Sequence, residues 1–308
     1  MKILVTGGAG FIGSNLTDRL ISEGHQVVIL DDFSAGNEKF VNPKSSVIQC
    51  DIRDAKKVDQ AFASFKPDAV FHMAAQIDLR KSIEDPKADY AINVTGSKNV
   101  LSSAQKHGVK KFVFASSAAV YGDNQNLPIK ESESIKAEMQ YGKSKAEIEQ
   151  ALKESGIKSV VLRYANVYGP RQGTIGEGGV IAKFCKRLVR CELISIFGTG
   201  EQTRDFVFVQ DIVDANIRAL SSDKDFAIYN VSTARETSVN NIAGMLLKIS
   251  GKNCKIKHLD PVKGEVMRNS LDNQLIKKEL MWKPCTSLDL GLSETWKWFK
   301  ERDISRKT

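Results

Sequence analysis

Ile3-Leu4-Val5-Thr6-Gly7-Gly8-Ala9-Gly10-Phe11-Ile12-Gly13 opens the chain. Ile3 to Thr6 is a short apolar run that stops at glycines, the pattern of a buried strand. Gly7, Gly10 and Gly13 recur at every third residue. Missing side chains there let a diphosphate approach the backbone and let the next helix pack close to the sheet. That helix, expected over residues 11–23, aims its N-terminal amides at the anion. Gly24 then ends it. Gln26-Val27-Val28-Ile29-Leu30 reads as a second buried strand ending at Asp31-Asp32. An acid about twenty residues beyond the glycines accepts hydrogen bonds from an adenosine ribose and repels a 2′-phosphate. No Arg follows directly, so the expected cofactor is NAD and not NADP. A glycine turn without a ligand leaves the acid unexplained.

Outward from that unit the alternation repeats. A third strand over 46–50 ends at Asp51-Ile52, placed to flank an adenine. A helix over 55–65 leads to a strand over 69–73, which runs into Ala74-Ala75-Gln76, small residues that suit close approach of a cofactor. A long helix over 88–107 holds Asn93, whose side chain can brace a strand end or the cofactor. Strands over 111–115 and 158–164 follow. Strands separated by helices throughout predict an α/β fold, a Rossmann-type doubly wound parallel sheet, with sites at the carboxyl ends of the strands. Past Tyr164 the pattern changes to a loop-rich stretch with Gly173, Gly176, Gly178 and Gly179. Helices over 180–189, 211–220, 238–249 and 288–300 then bracket strands over 193–197 and 226–231. The division expected is a cofactor-binding domain over 1–165 and a smaller C-terminal substrate lobe over 166–308, interleaved with returns to the first domain. The tail after residue 301 is polar and expected to fray.

The 308 residues are 42% hydrophobic and 27% charged, ordinary globular composition. The apolar start is too short for a signal peptide or a membrane span, so a soluble, cytoplasmic protein is expected. Cys50, Cys185, Cys191, Cys254 and Cys285 show no C-x-x-C spacing, and the histidines do not cluster with them. Free thiols in a reducing compartment, and no metal, follow. The net charge of +8 is spread thinly, and the densest basic stretch, residues 252–258, lacks the aromatic interleaving of single-strand binders. An anionic small molecule is a better partner than nucleic acid or membrane.

Ser116-Ser117 ends the fifth strand, and Tyr141-Gly142-Lys143-Ser144-Lys145 opens a helix expected over 141–152. Tyr141 and Lys145 are four apart and share one helix face. A lysine ammonium beside a phenol lowers the phenol's pKa, which makes Tyr141 a proton acceptor near neutral pH. Ser117 can exchange the same proton or hold a substrate hydroxyl.

Together these residues resemble an extended short-chain dehydrogenase/reductase of the NAD-dependent epimerase/dehydratase type, over nearly the whole chain. The stretches His72-Met73-Ala74-Ala75-Gln76, Ser116-Ser117-Ala118-Ala119-Val120-Tyr121-Gly122 and Asn166-Val167-Tyr168-Gly169-Pro170-Arg171 are similar to the UDP-glucose 4-epimerase group. So are Gly176-Glu177-Gly178-Gly179-Val180-Ile181 and Gln202-Thr203-Arg204-Asp205-Phe206. The resemblance implies that Tyr141 is the base, that Lys145 holds the nicotinamide ribose and that Ser117 contacts the sugar hydroxyl. It places Gly7, Gly10, Phe11, Ile12, Gly13, Asp31, Asp32, Phe33, Ser34 and Gly36 around NAD. It adds Asp51, Ile52, Met73, Ala74, Ala75, Gln76, Asn93, Ala115, Tyr164 and Val167 to that set. Gln76, Asn166, Gly179, Val180 and Ile196 would line the UDP-sugar, and Arg204 and Arg268 would bind its diphosphate, as suits an arginine fork. Without the resemblance, surface ion pairs to Asp205 or Glu265 explain the two arginines as well. A proline common shortly before the catalytic tyrosine in the group is absent, since Glu138-Met139-Gln140 stands there.

The activity so implied is inversion at C4 of a UDP-sugar through transient oxidation to a 4-keto intermediate, with glucose/galactose as the pair. The N-acetylglucosamine and glucuronate pairs are the alternatives. A dehydratase or decarboxylase needs an acid or base where Ala118 and Ala119 stand, and a methyl transfers no proton. A non-enzymatic NAD sensor or RNA-binding protein of the same fold has only the positive charge in its favour. A homodimer through the helices over 88–107 and 141–152 is also implied.

Overall fold

In the computed structural model, residues 1–174, 179–262 and 264–304 are described. Gly176, Glu177 and Gly178 of the glycine-rich stretch, and residues 305–308 of the tail, lie outside them.

The first half alternates as its apolar runs require. β1 (Lys2–Thr6), α1 (Phe11–Ser22), β2 (Gln26–Asp31), β3 (Ser46–Gln49), α2 (Ala55–Phe65) and β4 (Ala69–His72) come first. α3 (Leu79–Glu84), α4 (Pro86–Tyr90), a π-helical turn (Ala91–Gly96) and α5 (Ser97–Lys106) lead to β5 (Lys111–Ser117), α6 (Gln140–Glu154) and β6 (Ser159–Tyr164). Beyond lie β7 (Asn166–Tyr168), α7 (Val180–Val189), β8 (Ile194–Phe197), β9 (Thr203–Arg204), β10 (Phe206–Phe208) and α8 (Val209–Leu220). β11 (Phe226–Val231), β12 (Thr237–Ser238), α9 (Val239–Ser250), β13 (Ile256–Leu259), α10 (Gln274–Glu279) and α11 (Leu288–Ile304) complete the order.

Seven parallel strands make the main sheet, in the order β11-β6-β5-β4-β1-β2-β3. Strand order reverses beside β1, where α/β sheets open a crevice at the carboxyl ends. Side chains alternate across the pleat. Ile3 and Val5 of β1 join one core with Leu16 and Leu20 of α1, while Leu4 joins the opposite core with Val58 and Phe62 of α2. Each such buried aliphatic contributes roughly 1.5–3 kcal/mol, so helices on both faces are needed to cover the sheet. β11 is the return to this sheet from late in the chain.

A third core gathers Ile181, Phe184 and Leu188 of α7 with Ile242 and Leu246 of α9 and Trp296 of α11. β8 and β13 run parallel beside it. β13 is an element the sequence reading lacked: Lys255, Lys257 and His258 make it look like basic loop, and all three are exposed.

The long helix expected over 88–107 forms as three consecutive pieces from Pro86 to Lys106. At Gly96 a Cβ would come within 2.6 Å of Ile52 Cγ1, so only glycine lets the π turn approach the sheet this closely. α11 runs to Ile304, past the expected end at 300.

Candidate active site

The glycine turn between β1 and α1 is shaped for close approach. Gly7 has φ +67°, and a Cβ there would lie 2.7 Å from Ala74 N. At Gly13 a Cβ would lie 2.2 Å from Gly7 O. α1 begins at Gly10 with no side chain capping it, which leaves its first-turn amides for an anion. Asp31 sits at the end of β2 and accepts from Ala9 N and Phe33 N, both at 2.9 Å. A carboxylate has about four lone-pair sites, so capacity remains for ribose hydroxyls. Burial pushes its pKa up, against those two backbone donors. The glycine cradle and this acid fit a dinucleotide.

Around them, Asp32 Oδ1 accepts from Ser34 N and Ser34 Oγ, and Phe33 takes φ +61° to make the turn. Gly36 packs on Ala9 and Asp31, where a Cβ would meet Asp31 Oδ1 at 2.8 Å. Phe11 and Ile12 are half-buried in the first turn of α1. Asp51 grips Arg53, and that hydrogen bond holds its carboxyl below the usual range. Ile52 is buried beneath the π turn.

At the end of β4, Ala74 N donates to Thr6 Oγ1 at 3.2 Å. Met73, Ala74, Ala75 and Gln76 are half-buried there. Asn93 uses its side chain twice on Gln76: Oδ1 accepts from Gln76 N at 2.8 Å and Nδ2 donates to Gln76 O at 2.9 Å. Of the two roles open to Asn93, the side chain takes the brace. Gln76 itself folds back onto Asp78 O and Ser82 Oγ. Tyr164 is buried and hydrogen-bonded to Asn216.

Ser117 ends β5 and caps the short 3-10 turn that follows, its Oγ accepting from Ala119 N at 3.2 Å. The Tyr141 phenol is half-buried and near enough to the Ser117 hydroxyl for that group to lower its pKa. Lys145 is 3% exposed; its Nζ donates to Ala115 O at 2.8 Å and lies 5.6 Å from the Tyr141 ring centroid and 4.7 Å from that of Phe114. Gly142 lets α6 reach this place, since a Cβ there would meet Ala119 O at 2.5 Å. Ser117, Tyr141 and Lys145 therefore meet at the carboxyl end of the sheet.

The expected acidification of Tyr141 is corrected by this geometry. Burial pushes the phenol up to about 12, Ser117 opposes that, and the Asp89 charge adds to it. Burial in turn pulls Lys145 down to about 8, with Asp89 and then Glu149 opposing. Desolvation, invisible in the spacing of two residues, outweighs their proximity.

The residues expected at the sugar nucleotide divide. Asn166 is exposed at the start of β7, Val167 is half-buried beside it, and Gly179 and Val180 form the N-terminus of α7. Ile196 departs from expectation: the whole residue is 1% exposed in the third core and offers no surface to a ligand. Phe197, the next residue and on the other face, is 42% exposed. Arg204 and Arg268 lie on adjoining segments, joined by Thr203 N donating to Met267 O. Arg204 pairs with Glu265 at 3.4 Å, and Arg268 pairs with Glu236 at 2.6 Å. The Glu265 ion pair weighed at the outset is thus present, while Asp205 instead accepts from Thr233 and Ala234. A cleft of about 480 Å³ beside Glu265 is lined by Thr199, Gln202, His258, Pro261 and Met267.

Two buried acids escaped the sequence reading. Glu149 is one helical turn past Lys145, a spacing that could have revealed it. Asp89 had no such signal. Among the described residues no group of three or more His, Cys, Asp or Glu is arranged to hold a metal. No described helix is long and apolar enough to cross a membrane.

The profile of the NAD dependent epimerase/dehydratase family matches residues 3–232. The chain belongs to that family. This epimerase/dehydratase is 36% identical to a UDP-glucose 4-epimerase of Mycolicibacterium smegmatis, over 98% of its own length and 99% of the relative's. Its fold is similar to the crystal structure of UDP-glucose 4-epimerase with UDP-glucose from Thermotoga maritima, with a TM-score of 0.96, 39% identity, and 98% and 99% of the two chains covered. A UDP-glucose 4-epimerase of Thermus thermophilus in complex with NAD is similar at a TM-score of 0.93 and 33% identity, covering 97% and 99%. The Rossmann-type parallel sheet and the NAD-dependent family expected from the sequence are both found.

Proposed function

We propose that this protein is a nucleotide-sugar 4-epimerase that inverts C4 of a UDP-sugar, with UDP-glucose and UDP-galactose as the pair. One observation carries the reading: Ser117, Tyr141 and Lys145 converge at the carboxyl end of β5, in the sheet whose β1 runs into the glycine turn, while Ala118 and Ala119 supply no further acid or base. Bound NAD supplies a reversible hydride acceptor for the sugar carbon, which gives a 4-keto sugar. Gly7, Gly10, Gly13 and Asp31 would hold its adenosine half, and Lys145 its other ribose. The chain's own part is proton handling and orientation. Tyr141, as the phenolate, takes the proton of the sugar's 4-hydroxyl and returns it, with the Ser117 hydroxyl beside it to hold that hydroxyl. Lys145, whose Nζ lies 5.6 Å from the Tyr141 ring centroid, is the stabilising cation. Arg204 and Arg268 take the diphosphate once it displaces Glu265 and Glu236.

In this reading residues 1–165 hold the cofactor and 166–308 mainly the sugar nucleotide. The working protein is a cytoplasmic homodimer joined through α4, α5 and α6, in keeping with exposed Tyr90 on that face and five free cysteines. Neither nucleic acid nor membrane is a partner. Incubation with UDP-galactose and NAD tests the activity. UDP-glucose must appear without net NADH, and a UDP-sugar panel ranks glucose/galactose against the N-acetylated and uronate pairs. No conversion of any of them refutes the proposal. Light scattering in solution tests the dimer.

A further inference from the structure

Asp89 is 1% exposed, on α4, and is unused by the chemistry above. Its carboxylate collects four hydrogen bonds from four elements. Oδ1 accepts from Ser144 Oγ of α6 at 2.8 Å. Oδ2 accepts from Ser82 Oγ of α3 at 2.5 Å, Asn93 Nδ2 of the π turn at 3.1 Å and Gln76 Nε2 of the loop after β4 at 3.5 Å. All four donors are neutral, so they solvate the negative charge without cancelling it.

A buried carboxylate and a buried ammonium are each costly unless the other is near. Lys145 is the buried cation next along α6 from Ser144. Among the described residues, the charged and titratable groups around Lys145 are these. Tyr141 and Glu149 share its helix, His72 faces it from β4, and Tyr164 lies beyond Tyr141 on β6. Glu149 is already neutralised, held by the Arg163 guanidinium of β6 through Nε and Nη2 and by Ser116 Oγ. His72 is neutral. Asp89 is the carboxylate left over.

We infer that Asp89 is the positioning residue that keeps Lys145 charged and fastens the Tyr141 helix to the loop after β4. It acts through Lys145 and Ser144 and does not touch the reacting atoms. The inference rests on the proposed epimerase reading for its consequence in turnover, but not for the coupling itself. Of the groups that oppose desolvation of Lys145, which pulls it down to about 8, Asp89 comes before Glu149. The same carboxylate holds Gln76 and Asn93, so one group sets both the charge and the shape of the site.

The test is Asp89→Asn in the full chain with NAD, read two ways. The first is the pH profile of kcat. Loss of the charge should move the alkaline limb to lower pH by about one unit or more, about tenfold in the protonated fraction above it. KM should change much less. Ser82→Ala, which removes a hydrogen bond and keeps the charge, should leave the limb in place. A uniform loss at every pH, or an unmoved limb, overturns the inference. The second readout needs no activity: Lys145 titrated by NMR in protein labelled at lysine Cε. Its midpoint should fall on Asp89→Asn, and an unchanged midpoint overturns the inference even if epimerisation is found. Should the variant not fold, the wild type still decides. A Lys145 midpoint below neutral pH would mean that Asp89 does not keep the buried ammonium charged, which overturns it. Absence of epimerisation in wild type refutes the proposed function alone.

Discussion

Lowering the pH should weaken this fold through one histidine. His72 ends β4, is fully buried, and stacks on Phe114 at 5.7 Å between centroids. Its protonation state follows from the hydrogen-bond chain around it. Ser97 Oγ donates its proton to Asn93 O at 2.7 Å, so it can only accept from His72 Nε2 at 2.8 Å. Nε2 therefore carries the hydrogen, and Nδ1 accepts from Thr6 Oγ1 at 2.6 Å. Thr6 Oγ1 then accepts from Ala74 N. The neutral imidazole satisfies every position in this chain, while a proton on Nδ1 would confront a hydroxyl hydrogen.

Burial, helped by the Lys145 charge, pushes His72 down to about 3 from an ordinary 6.5. The folded pKa lies below the unfolded one, so the unfolded chain binds the extra proton. Stability is fully present above the unfolded pKa and declines as pH falls through the window from 6.5 toward 3. Between pH 7 and about 4.5 the linkage amounts to roughly 2.5 kcal/mol. The assay is urea unfolding at both pH values for wild type and His72→Gln. The variant should be weaker at pH 7, but its stability should drop by about 2.5 kcal/mol less than wild type's over the interval. Parallel losses in the two proteins would refute the buried neutral histidine.

Three further outcomes follow from the site and the cores. Tyr141→Phe should lower kcat about 10²–10⁴-fold with KM little changed, as for loss of a positioned acid–base group; near-wild-type turnover would remove Tyr141 from the proton step. Glu236→Gln releases Arg268 from its carboxylate, so UDP should bind more tightly by calorimetry. Leu246→Ala empties a fully buried position in the third core and should cost about 2–5 kcal/mol in urea unfolding.

The main sheet was legible because its strands are buried on both faces and read as unbroken apolar runs. β1, β2, β4, β5 and β6 are of this kind. β13, β9 and β12 were not. β13 has a burial pattern that is mostly exposed, and β9 and β12 are two residues long, so side-chain periodicity had nothing to register. The π turn was hidden for another reason. Its residues continue a helical pattern, and only the contact of Gly96 with Ile52 reveals the break.

The site shows the same boundary between what neighbours along the chain dictate and what the fold adds. Tyr141 and Lys145 could be paired from a spacing of four, and the structure places them together. Their ionisation could not, because desolvation depends on what covers them. Asp89 reaches Ser144 across 55 positions of sequence and biases both groups from there. A reading from spacing sees the near lysine and misses the far carboxylate, and so it assigns the phenol the wrong direction of shift. Burial favours the protonated phenol. The proton is thus in place for the direction in which the hydroxyl is re-formed. In the proposed reaction the sugar's proton can pass only to the ionised phenol, so Tyr141 acts as a base as the phenolate and as an acid when protonated.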